Sequence, residues 1–511
     1  MRNASLRRPT LTRRSALAAG GMAAVAAATP RARGAEPSVI RVAFPAAIAT
    51  LDPAKMRIGG LDYNYANCVF NRLTRQVALG EVLPDLATSW EPSEDLKTWT
   101  FHLRPGVKFH NGKPLDAADV VFTYKRLMDP SVGSVLRASL SAVSKIEAVD
   151  PLTVKFTLSI PYTDIPAVAA AYQATIVSES VMGTLTTKPV GTGPFRFVSY
   201  QPGDQMVLEK NADYYVPGQP KVDRAILRII PEYTTAVAGL QSGAIDIVYD
   251  LPPEQQDLLK ANHTCHVDAV PSGHWQGIIF NNAFKPFDDP RVREALIKLI
   301  DKQKFTDIAT FGYASPTVSP IPPTHPYFRK DLLVPADIPG AKKLLAEAGL
   351  GNGFPILMYV PESNPNEERI ANAFRDVAKE VGITVSLQMV PPDKFFAEME
   401  GKVPCSSDGF FGRATPDLMT YPWYHTGGSW NDTLWHYSNP EVDKALDAAR
   451  ITLDKTVQAK MYGILQETVA KNGPGCVIYV ENFACGVSNK VQGFKSSPLM
   501  WVDLRNASIS A

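Results

Sequence analysis

Between residues 98 and 128 the apolar and polar positions change period. Trp99, Phe101 and Leu103 alternate with Thr98, Thr100 and His102, a period of two that predicts a strand with one buried face. Val107 and Phe109 keep that spacing up to Asn111-Gly112, a dipeptide that tolerates positive φ, so a second, shorter strand and a turn are expected. Asp116, with Asp119, suits the free amides of a helix start, and Val120, Val121, Tyr124 and Met128 then share one face at helical spacing. The same two periods recur along the chain. Strands are expected at Val39 to Phe44, Thr153 to Leu158, Gln205 to Lys210, Ala225 to Ile230, Ile245 to Tyr249 and Gly277 to Phe280. Helices are expected at Tyr233 to Gln241, stopped by Gly243, and at Pro290 to Leu299. Ile356 to Val360, a helix from Glu367 to Val381 stopped by Gly382, and Thr384 to Val390 make a βαβ unit, whose parallel strands require such a crossover. Two helices, Pro440 to Leu453 and Lys455 to Lys471, precede a final strand pair. The pattern is α/β, without internal repeats or low-complexity linkers.

Several stretches carry more than periodicity. Leu86 to Asp95 (LATSWEPSED), Trp99 to Pro114 (WTFHLRPGVKFHNGKP) and Ala117 to Phe122 resemble the signature of the extracytoplasmic solute-binding proteins of family 5. These are receptors of ATP-driven importers for dipeptides, oligopeptides, nickel and opines. Val190 to Phe195 (VGTGPF), Phe287 to Leu296 (FDDPRVREAL), Ile300-Asp301 and Ala341 to Gly349 (AKKLLAEAG) follow in the family's order. The resemblance implies a two-lobed periplasmic-binding-protein fold, class II-like, with an extra small α/β domain in the first lobe. Residues 36–74, 193–274 and 486–511 are expected to form lobe I, residues 75–192 the small domain, which reads as scaffold, and residues 275–485 lobe II. Such proteins bind their solute between lobes that close about a hinge, and the closed form is recognised by an inner-membrane permease with its ATPase. The resemblance also implies a monomer, and neither a cofactor nor a metal is expected.

Residues 1–35 carry seven arginines and no acid, around an alanine-rich run from Ala16 to Ala28, and resemble a signal peptide. Thr12-Arg13-Arg14-Ser15 resembles the twin-arginine export signal, which makes that export machinery an expected partner and the periplasm the expected location; a general secretory signal with incidental arginines is the alternative. The apolar run, about 13 residues, is shorter than a membrane-spanning helix needs. Over the whole chain 52 basic residues face 51 acidic ones, but without the leader the balance becomes 45 to 51, a net charge of −6. A nucleic-acid partner is therefore not indicated. Of five cysteines, Cys476 and Cys485 are closest in sequence and are weighed as a disulfide against independent buried thiols. His263 and His266 beside Cys265 resemble a metal cluster, yet adjacent positions point in different directions, and a solvated surface is the simpler reading.

In the resembling family, the loop after the first strand, here with Thr50, borders the ligand cleft, and Tyr63 and Asn64 follow it. Asp408 to Trp435 is rich in aromatics without helical period, which favours a cleft wall over a core. Phe411, Trp423 and Trp430 are its candidate contacts, together with Trp275 where the chain passes between lobes. For Tyr63, Asn64 and each tryptophan, ordinary packing is the competing reading. Peptide-binding members carry, near Gly412, an aspartate that holds the ligand ammonium; this chain reads Gly412-Arg413-Ala414-Thr415-Pro416-Asp417. An arginine repels an ammonium and suits a carboxylate or phosphate. Arg413 is thus expected to face an anionic group of an opine, a modified peptide or an organic acid, unless it pairs structurally with Asp408 or Asp417. A secreted hydrolase is a rival reading, but no nucleophile-elbow, zinc-protease or P-loop pattern is present. A binding protein that senses ligand or chaperones chains without serving transport is another.

Overall fold

The computed structural model describes residues 37–56, 60–362, 364–413 and 415–510. The expected leader, residues 1–35, lies outside the described residues.

Two long antiparallel strands, Cys265–Phe280 and Gly475–Ser488, organise the chain. They pair from Cys265 opposite Ser488 to Ile279 opposite Gly475, with register breaks between Pro271 and Trp275 and between Gln276 and Gly277. At one end the second strand continues into Ile247–Val248, then Val39–Phe44, Arg224–Ile229, Gln205–Lys210 and Phe195–Gln201. At the other end the first strand continues into Cys405–Phe410, Pro355–Pro361 and Thr384–Val390. One sheet of 11 strands therefore has two halves, and each half is the centre of a lobe. Ile40, Val42, Tyr65, Phe195 and Leu227 belong to the core of lobe I, and Phe280, Leu296, Met358, Phe374 and Ile478 to that of lobe II.

The βαβ unit of lobe II forms as its pattern dictates: Pro355–Pro361 and Thr384–Val390 are parallel, joined by the helix Pro365–Ala378. Gly382 ends that crossover at φ +79°, a left-handed conformation that favours glycine. The small domain is a four-stranded antiparallel sheet in the order Ala87–Pro92, Thr98–Leu103, Thr153–Leu158, Val143–Asp150, covered by the helix Ala117–Met128. The Asp116 side chain accepts from the amides of Ala118 and Asp119, and the Asp119 side chain accepts from the Asp116 amide, a complete capping box. Tyr124 meets Phe156 edge-on at 4.9 Å beneath it.

Four expectations are corrected. No second strand forms around Val107 to Phe109. Only a single bridge joins Lys108 to Pro114, because the Phe109 amide donates to Lys113 O within the tight turn and Pro114 has no N–H to extend a ladder. The strand read at Gly277 to Phe280 begins instead at Cys265 and crosses both lobes. Cys476 and Cys485 are not bridged: they lie on one extended strand, nine residues and therefore roughly 30 Å apart, and all five cysteines are free and buried. Finally, the aromatic segment is not a loop throughout. Pro416–Tyr424 is helical and Asn431–Trp435 forms a π-helical turn, so Trp423 and Trp435 gain a face to pack and are buried.

Candidate functional site

The linking strands cross between the lobes where Ser272-Gly273-His274 interrupts their pairing. Here the backbone of lobe II comes close: a Cβ on Gly412 would lie 2.6 Å from Gly273 Cα, so only glycine admits this approach. The contact fixes the segment carrying Phe411 and Arg413 against the strands. Phe411 is 53% exposed and stacks on His274 at 4.4 Å. His274 Nδ1 lies 3.0 Å from Glu481 Oε2 on the opposite strand. Gln276 Nε2 and Asn364 Nδ2 donate to the other carboxylate oxygen at 3.2 and 3.1 Å. Burial works against the His274 imidazolium, but Glu481 and Asp250 outweigh it and lift the His274 pKa. Burial likewise opposes ionisation of Glu481, yet His274 and these hydrogen bonds hold its pKa below the usual value. Asp250, from lobe I, takes a left-handed backbone at φ +51°; burial, then the Glu481 charge, pushes its carboxyl up to about 7.

Arg413 donates from Nη1 to its own chain, to Phe411 O at 2.9 Å and Gly412 O at 3.3 Å. Among the described residues no acid lies within ion-pairing distance of it. The expected alternatives are both occupied. Asp408 is buried and accepts from the Gly409 amide at 2.8 Å, and Asp417 pairs with Arg450 at 3.1 Å. Tyr63 of lobe I and Tyr172 of the small domain, stacked at 3.5 Å and 6°, lie near enough for the Arg413 charge to act on both phenols. Tyr172 meets Trp501 edge-on at 5.2 Å, so the wall continues into the C-terminal return of the chain.

The structure thus brings Tyr63, Phe411 and Arg413 together. Thr50 lies in the loop beside them, its hydroxyl accepting from the Asp52 amide at 3.1 Å, while Asp62 anchors the loop through the Ala49 amide at 2.8 Å. Other expected contacts are placed elsewhere. Asn64 is buried, donating to Gly60 O at 2.7 Å and accepting from the Val502 amide at 2.6 Å, which ties the C-terminal return to lobe I. Trp275 and Trp423 pack with Phe410 and Trp435 in the lobe II core. Trp430 is half-exposed but spends one face on Trp423 at 5.0 Å. His266 bonds Asn489, and among the described residues no cluster of His, Cys, Asp or Glu could hold a metal.

Asp417 belongs to a second meeting of the lobes. The Tyr162 hydroxyl of the small domain donates to Asp417 Oδ2 at 3.1 Å, Thr415 donates to Asp164, and the Thr163 amide donates to Arg450 O at 3.1 Å. Arg450 lies over the rings of Tyr162 at 4.8 Å and Tyr421 at 3.7 Å. Its Nε is in ion-pair range of Asp417 without a well-directed hydrogen bond. Burial raises the pKa of Asp417 to about 7 and that of Asp164 upwards as well. The small domain, expected as scaffold, therefore supplies both Tyr172 of the cleft and this seam.

Tyr172, His274, Asp250 and Glu481 escaped the sequence reading. Glu481 had a signal: it is an acid inside the apolar run from Cys476 to Val487, where an unpaired charge is costly.

Two lobes on one shared sheet, with an arginine, aromatic faces and a histidine–glutamate pair gathered at the crossing, define a two-lobed solute-binding protein. The chain belongs to the bacterial extracellular solute-binding proteins, family 5, whose middle-region model matches residues 81–432. It is 31% identical over 427 residues to the glutathione-binding protein GsiB of Pectobacterium atrosepticum, covering 81% of this chain and 83% of that one. It is similar in structure to AgaA of A. tumefaciens R10, solved with agropinic acid (TM-score 0.76, 26% identity, 93% and 99% coverage). It is also similar to HbpA2 of Haemophilus parasuis (TM-score 0.83, 26% identity, 93% and 100% coverage). A protein of this family binds a solute for an ABC transporter and is not an enzyme, so the hydrolase reading is not favoured. No helix among the described residues is long and apolar enough to cross a membrane.

Proposed function

We propose that this protein is a periplasmic receptor for a small peptide-like solute with an exposed carboxylate, of the glutathione or opine kind, which it delivers as a monomer to an ABC permease. The observation that carries this reading is Arg413: a guanidinium at the crossing of the lobes, without an acid partner among the described residues and close enough to Tyr63 and Tyr172 for the charges to act on one another. A carboxylate placed there gains charge-assisted hydrogen bonds. The linking strands act as the hinge, and the seam at Tyr162, Asp417 and Arg450 holds the closed form. The relatives that bind glutathione and agropinic acid support this class of solute.

The test is a thermal-shift series with glutathione, octopine and the dipeptide Met-Leu on wild type and Arg413→Ala. Glutathione or octopine should raise the wild-type melting temperature, and the variant should bind it about 10- to 150-fold more weakly, the worth of a hydrogen bond to a charged group. Equal stabilisation of both proteins by Met-Leu, with none by the other two, would show a conventional peptide receptor. Export by the twin-arginine route is part of the proposal; normal export of a variant carrying Arg13→Lys and Arg14→Lys would contradict it.

A further inference from the structure

A cavity of about 290 Å³ lies within lobe I, away from the crossing of the strands. It is bounded by the end of the helix Leu61–Val69, the strand Thr74–Ala78 and the C-terminal return at residues 495–505. Trp501 separates it from the cleft: its ring meets Tyr172 of the cleft at 5.2 Å and the guanidinium of Arg72 at 4.8 Å.

The charges around this cavity do not balance. Arg72, Arg75, Lys495 and Arg505 line it, against Asp85 and Asp503. Asp503 is spent on Arg505, which grips both its carboxylate oxygens. Asp85 is spent on the Asn71 amide group, the Tyr215 hydroxyl and the Arg72 backbone N–H. Among the described residues no acid lies within ion-pairing distance of Arg72, Arg75 or Lys495. Arg72 is only 5% exposed, and its guanidinium makes one hydrogen bond, from Nη2 to Asn67 Oδ1 at 2.5 Å. Among the described residues its Nε and Nη1 have no hydrogen-bond partner, nor has Nδ2 of Asn67, which lines the same cavity. Asp85 and Asp503 act on the Arg72 charge only from beyond pairing distance, burial outweighs them and lowers its pKa, and a buried cation so weakly compensated is costly. An anion in the adjoining space would supply the missing charge. Phe195 and the Trp501 ring give the rest of the wall an apolar character.

We propose that this cavity is a second binding site, distinct from the cleft, for a small carboxylate or phosphate with an apolar body, held by Arg72, Arg75 and Lys495. Cleft and cavity are then two anion sites either side of the Trp501–Tyr172 wall.

The experiment uses the full chain carrying Arg413→Met, so that the cleft offers no arginine, and the probes benzoate, phenyl phosphate and sodium chloride as ionic-strength control. Benzoate or phenyl phosphate at about 100 times its dissociation constant should raise the melting temperature beyond the chloride control, as any ligand of the native state does. Adding Arg72→Met should abolish that response without lowering the melting temperature in the absence of probe, since an unpaired buried charge is replaced by an apolar chain. Adding Arg75→Met, at a half-buried position, should weaken the response at least about tenfold and covers the case in which the Arg72 variant does not fold. A response to one probe alone identifies the preferred oxyanion. No response to either organic anion, or an undiminished response in both added variants, would overturn the proposal.

Discussion

Removing the Tyr162 hydroxyl tests whether the seam between the small domain and lobe II governs affinity. Tyr162 and Asp417 are both about 2% exposed, and the hydroxyl donates to Oδ2 at 3.1 Å. Tyr162→Phe keeps the ring under Arg450, so the loss is confined to that hydrogen bond. Its size depends on the charge of Asp417. Burial raises the Asp417 pKa from 3.8 to about 7, against the opposing pull of Arg450 and with the help of Asp164. The docked form therefore holds a proton that the exposed carboxylate releases. Docking is favoured below the ordinary value and weakens as pH rises through about 7. At pH 8 the variant loses a bond to a charged acceptor, about 1.5–3 kcal/mol, or roughly 10- to 150-fold. Well below pH 7 it loses a neutral one, about 0.5–1.5 kcal/mol, or roughly 2- to 12-fold. Where solute binding requires docking and the undocked form predominates without solute, apparent affinity falls by the same factors. Isothermal titration of wild type and variant with the solute that the thermal-shift series identifies, at two pH values either side of 7, reads them directly. A penalty that is the same at both, or below about twofold throughout, refutes the seam as the determinant of closure.

Two further outcomes follow from the cleft. Glu481→Gln removes the carboxylate that lifts the His274 pKa, so burial should prevail and the His274 imidazole should titrate below its ordinary 6.5, while Asp250 falls from about 7; an unchanged His274 titration by NMR contradicts the pairing. Gly412→Ala puts a Cβ 2.6 Å from Gly273 Cα, forcing Phe411 and Arg413 to shift; solute affinity should fall at least about tenfold with the lobes still folded, and unchanged affinity would show that the close approach does not position the cleft.

Local patterning carried the elements whose two faces differ. Thr98–Leu103 and Thr153–Leu158 alternate strictly in burial, and the capping box at Asp116 is written in adjacent residues. The linking strand was visible only in its lobe II half. Its lobe I half carries His266, Asp268 and Pro271, polar or unable to donate, and is held by pairing with residues some 200 positions later. Arg413 and Phe411 stood out because they depart from an expected motif or sit exposed in an aromatic segment. Tyr172, Asp250, His274 and Glu481 come from separate elements of the chain, and their proximity is a product of the fold alone. The tryptophans misled for a related reason: Trp423 and Trp435 look unpaired until the helix Pro416–Tyr424 and the turn after it give them a common core.

The pairing of Gly475–Ser488 with both halves of the sheet also makes both depend on one segment. Ile247–Val248 of lobe I completes its second edge on Val487 and Gly486, and the side-chain oxygen of Asn64 accepts from the amide of Val502. Ile278 and Phe280 of lobe II pair or bond with residues 474–476. Neither half of the sheet is complete without the segment from residue 474 to residue 502. Loss of residues 474–502 should therefore destabilise both lobes together rather than leave an intact first half.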